Sequence, residues 1–199
     1  MSQITNDNFP VIRCFGLGKS YTDSSEAVRN VDLTVNYGEI LVLLGPSGCG
    51  KTTAGRALMR LVEPTGGIVD YTMRDNSRVN IPKASTEELD LVRQEMQIIF
   101  QDPFASLNPR MTIFDIVADP LRVNGLASGS ELEDRVAEMM RVVGLSTSYM
   151  RRYPHAFSGG QRQRLGIART LVMNPRMIIA DEPVSALDVS VQAQILNLS

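Results

Sequence analysis

Gly45-Pro46-Ser47-Gly48-Cys49-Gly50-Lys51-Thr52 concentrates the chemistry of this chain and matches the pattern G-x-x-x-x-G-K-[ST] of the P-loop. Glycines at this spacing let successive backbone N–H groups turn inward around a phosphate chain, and the helix that follows adds its positive N-terminal end. Lys51 can then reach the outer phosphates and the Thr52 hydroxyl can ligate Mg²⁺, with Thr53 carrying the loop on into the helix. A second candidate is Met177-Ile178-Ile179-Ala180-Asp181-Glu182, an apolar strand that ends in two carboxylates. Such a strand delivers its acids to the carboxyl edge of a sheet, where α/β proteins bind their ligands. Asp181 suits a Mg²⁺ contact through water, and Glu182 suits polarising a water for in-line attack on a γ-phosphate. A strand ending in Asp-Glu is weak evidence alone and strong evidence beside a phosphate loop.

Phe157-Ser158-Gly159-Gly160-Gln161 places a serine and two glycines where a helix begins, a second anion-binding arrangement. This stretch resembles the signature of ABC ATPases, most often Leu-Ser-Gly-Gly-Gln, and the match runs on through Arg162-Gln163-Arg164 and Ala168-Arg169. The resemblance implies an ATP hydrolase that uses ATP and Mg²⁺, with Lys51 and Glu182 catalytic. It also implies a head-to-tail dimer, homo- or heteromeric, in which Ser158 to Gln161 of one chain close on the nucleotide of the other. Other positions take family roles in order. Gln101 resembles the Q-loop glutamine, a Mg²⁺ ligand and sensor of the membrane partner, and joins Thr52 and Asp181 as the implied metal set. Ser185-Ala186-Leu187-Asp188 resembles the D-loop, with Pro183 also usual. Tyr21, 24 residues before Gly45, stands where the family stacks an aromatic on adenine.

Phe100-Gln101-Asp102-Pro103-Phe104-Ala105-Ser106-Leu107-Asn108-Pro109-Arg110-Met111 and Tyr153-Pro154-His155-Ala156-Phe157 are similar to the dipeptide and oligopeptide importer subfamily, which includes nickel and some glycoside importers. The likeness covers Val11 to Ser199 and implies ATP-driven import, of di- or oligopeptides, at the cytoplasmic face of the membrane. The implied partners are a second ATPase subunit, transmembrane permease subunits and a periplasmic or extracellular substrate-binding protein. One family part is absent: the switch histidine lies beyond the D-loop, and this chain stops 11 residues past Asp188. His155, the sole histidine, precedes the signature and reads as a surface or domain-contact residue. The chain therefore resembles a C-terminally truncated piece, with the last strands of its core sheet expected beyond Ser199. Two alternatives stay open: a DNA-repair or mechanical ABC ATPase, and a regulatory subunit that only binds nucleotide. Against the first, Gln101 and Ser158 are 57 positions apart with no long heptad run and no cysteine pairs between them. Against the second stand Glu182 and the intact signature.

The elements that must hold these residues follow from pattern. Val31, Leu33 and Val35 alternate with polar neighbours as a half-buried strand, and Ile40 to Leu44 is an apolar run expected as a strand buried on both faces. Lys51 to Leu61 has helical spacing and stops before Pro64. Ser85 with Glu88 and Ser130 with Glu133 predict capping boxes, Met96 to Phe100 a strand, and Gly144 a helix end. The methionine pair Met139 and Met140 reads as core. Ser158 caps a helix that Asn174-Pro175 stops. The predicted architecture is one α/β domain, a P-loop NTPase core with an N-terminal antiparallel β lobe and an inserted α-helical lobe. The β lobe and core take 9–100, the helical lobe with Q-loop and signature 101–171, and the Walker B strand with D-loop 172–199. Composition agrees: 199 residues, 43% apolar and 21% charged, suffice for a core without disulfides. A net charge of −2 argues against nucleic acid as a partner. Cys14 and Cys49 form no framework and read as reduced cytosolic thiols; Met1 to Pro10 lacks a secretory apolar region, and no run of about 18 apolar residues offers a membrane span.

Overall fold

A computed structural model of the chain describes residues 9–22, 25–100 and 107–181. They divide into two compact units, Met1–Met96 and Gln97–Ser199. The first unit holds β1 (Pro10–Thr22), β2 (Ser25–Asn36), α1 (Lys51–Leu58), β3 (Gly66–Thr72), β4 (Arg78–Asn80) and α2 (Thr86–Glu95). β5 (Met96–Ile99) leads into the second, which holds α3 (Ile113–Val123), α4 (Gly129–Val142), α5 (Gly159–Leu171) and β6 (Met177–Ala180).

The antiparallel β lobe is present as β2-β1-β3-β4. β1 lies between β2 and β3, so its inward residues Ile12, Cys14 and Leu17 are fully buried, as are Val69 and Tyr71 of β3. The predicted alternation of Val31, Leu33 and Val35 holds on β2, whose outward Asp32 accepts a hydrogen bond from the Gly16 N–H at 2.6 Å. α1 packs on β1 and β2 through Ala54, Ala57 and Leu58. It ends one turn earlier than the spacing predicts. Arg60 leaves the helix at φ 51°, held by its own side chain, which donates to the Ala84 carbonyl at 2.7 Å and to Glu63 at 2.9 Å. α2 opens with the predicted capping box: the Glu88 N–H donates to Ser85 Oγ and the Ser85 N–H to the Glu88 carboxylate.

One expectation fails outright. Ile40 to Leu44 is neither a strand nor buried, and Leu44 is 89% exposed. Burial on both faces requires hydrogen-bonded neighbours on both edges. Among the described residues the strands pair as β2-β1-β3-β4 and β5-β6, and neither sheet includes this run.

The second unit is built around apolar stripes of α3, α4 and α5. Ile113, Val117, Leu121, Val136, Met140 and Leu165 are fully buried in one cluster, which Met139 joins at its edge. The helix α3 has no counterpart in the sequence reading, because Pro120 lies inside it. Its start is well specified: the Asp115 N–H donates to Thr112 Oγ1 at 3.1 Å, and the Thr112 hydroxyl to Asp115 at 2.6 Å. α4 begins earlier than the Ser130–Glu133 box places it. Ser128 is its N-cap, without a side-chain cap bond, and Ser130 already lies in the first turn. Its end matches expectation, since the Leu145 N–H donates to the Met140 carbonyl and the Gly144 N–H to Arg141, a Schellman closure. The two cysteines are free, Cys14 buried and Cys49 exposed.

Candidate functional site

The segment from Gly45 to Gly50 turns directly into the start of α1. Pro46 to Cys49 is a turn closed by the Cys49 N–H on the Pro46 carbonyl at 3.3 Å, with Gly48 at φ 79°, the positive value a type II turn needs at its third residue. Gly50 is the N-cap of α1 at φ 96°, ψ 5°. A side chain there would collide with the Ala27 carbonyl of β2, so only glycine lets the loop lie this close to the sheet. The first helical hydrogen bond runs from the Ala54 N–H to the Gly50 carbonyl at 2.8 Å. No acidic residue stands in the first turn of α1, which leaves its positive end uncompensated.

Lys51 does not extend outward. Its ammonium donates to the Gly45 carbonyl at 2.8 Å and the Pro46 carbonyl at 2.9 Å, with Cys49 Sγ at 3.8 Å. The three donors of the ammonium thus meet three acceptors of its own loop. This arrangement fits a polyphosphate: anionic oxygens are stronger acceptors than carbonyls, and a rotation about the lysine stem transfers the charge to them. Tyr21, near the end of β1, is 58% exposed, with the Lys19 ammonium 5.0 Å from its ring centroid. Lys19 escaped the sequence reading, although two-residue spacing puts both side chains on one face of a strand.

In the second unit Ser158 caps α5 in a full capping box. The Gln161 N–H donates to Ser158 Oγ at 3.4 Å, and the Ser158 N–H donates to Gln161 Oε1 at 3.0 Å. Gly159 and Gly160 form the first turn, and Leu165, Ile167 and Ala168 anchor the helix beneath. Phe157, where the family signature most often has leucine, is buried and meets Tyr149 edge to face at 5.5 Å. Asp181 directly follows β6, and its N–H donates to the Ile99 carbonyl of β5 at 3.0 Å. His155 is exposed and stacks on Tyr153 at 5.9 Å. Gln101, Glu182, Pro183 and Asp188 lie outside the described residues.

Among the described residues no three His, Cys, Asp or Glu side chains cluster as a metal cage.

The ABC transporter family model matches residues 28–185. The chain is 48% identical over 183 residues to the oligopeptide transport ATP-binding protein AppF of Bacillus subtilis (strain 168), covering 92% of this chain and 54% of that protein. It is 50% identical over 183 residues to the glutathione import ATP-binding protein GsiA of Escherichia coli (strain K12), covering 92% of this chain and 29% of that one. The chain thus spans about half the length of the first of these relatives and less of the second. Among solved structures it is similar to the ATP-binding cassette MJ0796, solved as a dimer in a post-hydrolysis state bound to ADP and Pi. The TM-score is 0.78 at 32% identity, over 94% of this chain and 80% of that one.

Proposed function

The chain belongs to the ABC transporter family, and from that premise we propose that it is the ATP-binding and ATP-hydrolysing subunit of an importer of di- or oligopeptides. The observation that carries the reading is the phosphate loop on α1, with the Lys51 ammonium gathered into it and Gly50 seated against β2. The high identity to an oligopeptide and a glutathione transport protein supports a peptide-like cargo.

In this proposal Lys51 exchanges the Gly45 and Pro46 carbonyls for the β- and γ-phosphate oxygens. The backbone N–H groups of Gly45 and of Ser47 to Thr53 wrap the same phosphates around Pro46, which has no N–H, and Tyr21 offers its ring to the adenine. Thr52, Gln101 and Asp181 would hold Mg²⁺, which would neutralise phosphate charge. Glu182 orients and deprotonates the attacking water. The Ser158 hydroxyl and the first turn of α5 approach the γ-phosphate held by a second ATPase subunit, and Asp188 lies at that junction. The chain then acts peripherally at the cytoplasmic face, against transmembrane permease subunits supplied by a substrate-binding protein. Among the described residues no helix is long and apolar enough to cross a membrane. Within the domain we assign 9–100 to the β lobe and phosphate-loop core, 101–171 to the helical lobe, and 172–199 to the Walker B strand and D-loop.

The test is Lys51→Ala in the full-length protein. Removing the ammonium that pairs with the outer phosphates should lower ATP affinity or turnover at least about 100-fold, within the scale of a lost charge-assisted contact in a phosphoryl-transfer site. Unchanged nucleotide titration and phosphate release would remove the assignment.

A further inference from the structure

Between Arg141 and Arg176 the chain carries seven arginines and no aspartate, glutamate or lysine. Arg151 and Arg152 lie on the surface within this stretch, beside exposed Tyr153 and His155. Among the described residues neither arginine has a carboxylate within ion-pair distance, whereas Arg122, Arg135 and Arg169 of the same unit are paired. We propose that this surface docks an acidic segment of a partner protein.

Three features distinguish it from an ordinary solvated charge run. The backbone is pinned: the Ile113 N–H donates to the Arg152 carbonyl at 2.8 Å and the Phe114 N–H to the Met150 carbonyl at 2.9 Å, tying the segment to the start of α3. The Arg152 guanidinium lies over the Tyr149 ring, 4.5 Å from its centroid, and that ring meets buried Phe157 edge to face. Tyr153 and His155 form a parallel pair at 5.9 Å and 10°. Arginine and tyrosine are the residues that dominate binding hot spots, and a preformed geometry lowers the ordering cost of association. A guanidinium seated over an aromatic ring presents a planar fork matched to carboxylates, while an anionic membrane surface is served equally well by mobile lysines. The chemistry therefore favours aspartate- or glutamate-rich polypeptide.

The experiment measures binding of a fluorescein-labelled peptide of alternating glutamate and tyrosine to the chain by anisotropy at low ionic strength. Arg151→Glu should weaken binding about tenfold, and Arg152→Ala by a similar factor, with the far-ultraviolet spectrum unchanged because the hydrogen bonds that tie the segment to α3 run through backbone carbonyls. Arg78→Glu, the same charge change on exposed β4, should leave affinity within about twofold. Equal loss in Arg78→Glu, no detectable binding by the parent chain, or unchanged affinity in Arg151→Glu would overturn the proposal. So would Arg151-dependent binding to phosphatidylglycerol vesicles without affinity for the peptide.

Discussion

At the scale of single residues, the loop shows how much a side chain's setting adds to its type. Lys51 is identified by spacing alone, but its contacts with the Gly45 and Pro46 carbonyls are a property of the folded loop. The two thiols separate in the same way. Cys49 is exposed within the loop, while burial pushes the Cys14 thiol up to about 11, helped by the Asp32 charge nearby. The thiolate is the nucleophile, so at neutral pH Cys14 should stay unlabelled by maleimide while Cys49 reacts. Saturating Mg·ATP should slow Cys49 labelling at least about tenfold, since the nucleotide covers the loop. Mass spectrometry of the labelled peptides reads both effects, and labelling of Cys14 before Cys49 would contradict the burial.

At the scale of elements, caps and periodicity explain which readings held. The capping boxes at Ser85 and Ser158 involve four consecutive residues, so the sequence contains the whole interaction. The Ser130–Glu133 match fails because α4 has already begun at Gly129. α3 carries an apolar stripe at Ile113, Ile116, Val117 and Leu121 and a cap at Thr112, a legible signal obscured by Pro120. Its cap also makes a prediction. The Thr112 hydroxyl and then the Arg122 guanidinium lower the pKa of Asp115 below its ordinary 3.8. A depressed carboxylate contributes stability above its unfolded pKa and loses it as pH falls through the folded one. Thr112→Ala should cost about 1 kcal/mol at neutral pH, the usual value of an N-cap. Asp115→Asn should flatten the fall in thermal stability below about pH 4, where the carboxylate titrates. Parallel acid-side melting curves for variant and parent would count against the cap.

At the scale of the whole molecule, the proposed dimer can be tested without seeing it. Glu182→Gln keeps shape while losing the carboxylate proposed to deprotonate water, so turnover should fall about 10²–10⁴-fold with ATP binding retained. Ser158→Arg should spare nucleotide binding by its own chain and block hydrolysis. Mixed with Lys51→Ala chains, it should recover part of the activity, because one composite site then carries both defects and the other neither. Mixtures that stay as inactive as either variant alone would argue against head-to-tail pairing.

The sequence by itself determined the family, the capping box at Ser158 and the glycine-rich loop that leads into α1. These are local patterns in which a few neighbouring residues contain most of the interaction. Tertiary structure alone decided that Ile40 to Leu44 lies exposed, since an apolar run becomes a buried strand only when other strands flank it, and that pairing is non-local. It also decided that α1 stops at Leu58, through a contact between Arg60 and the Ala84 carbonyl 24 residues away. The same holds for the arginine surface at Arg151 and Arg152. Composition shows the missing carboxylates, but only folding ties that backbone to α3 and lays one guanidinium on Tyr149.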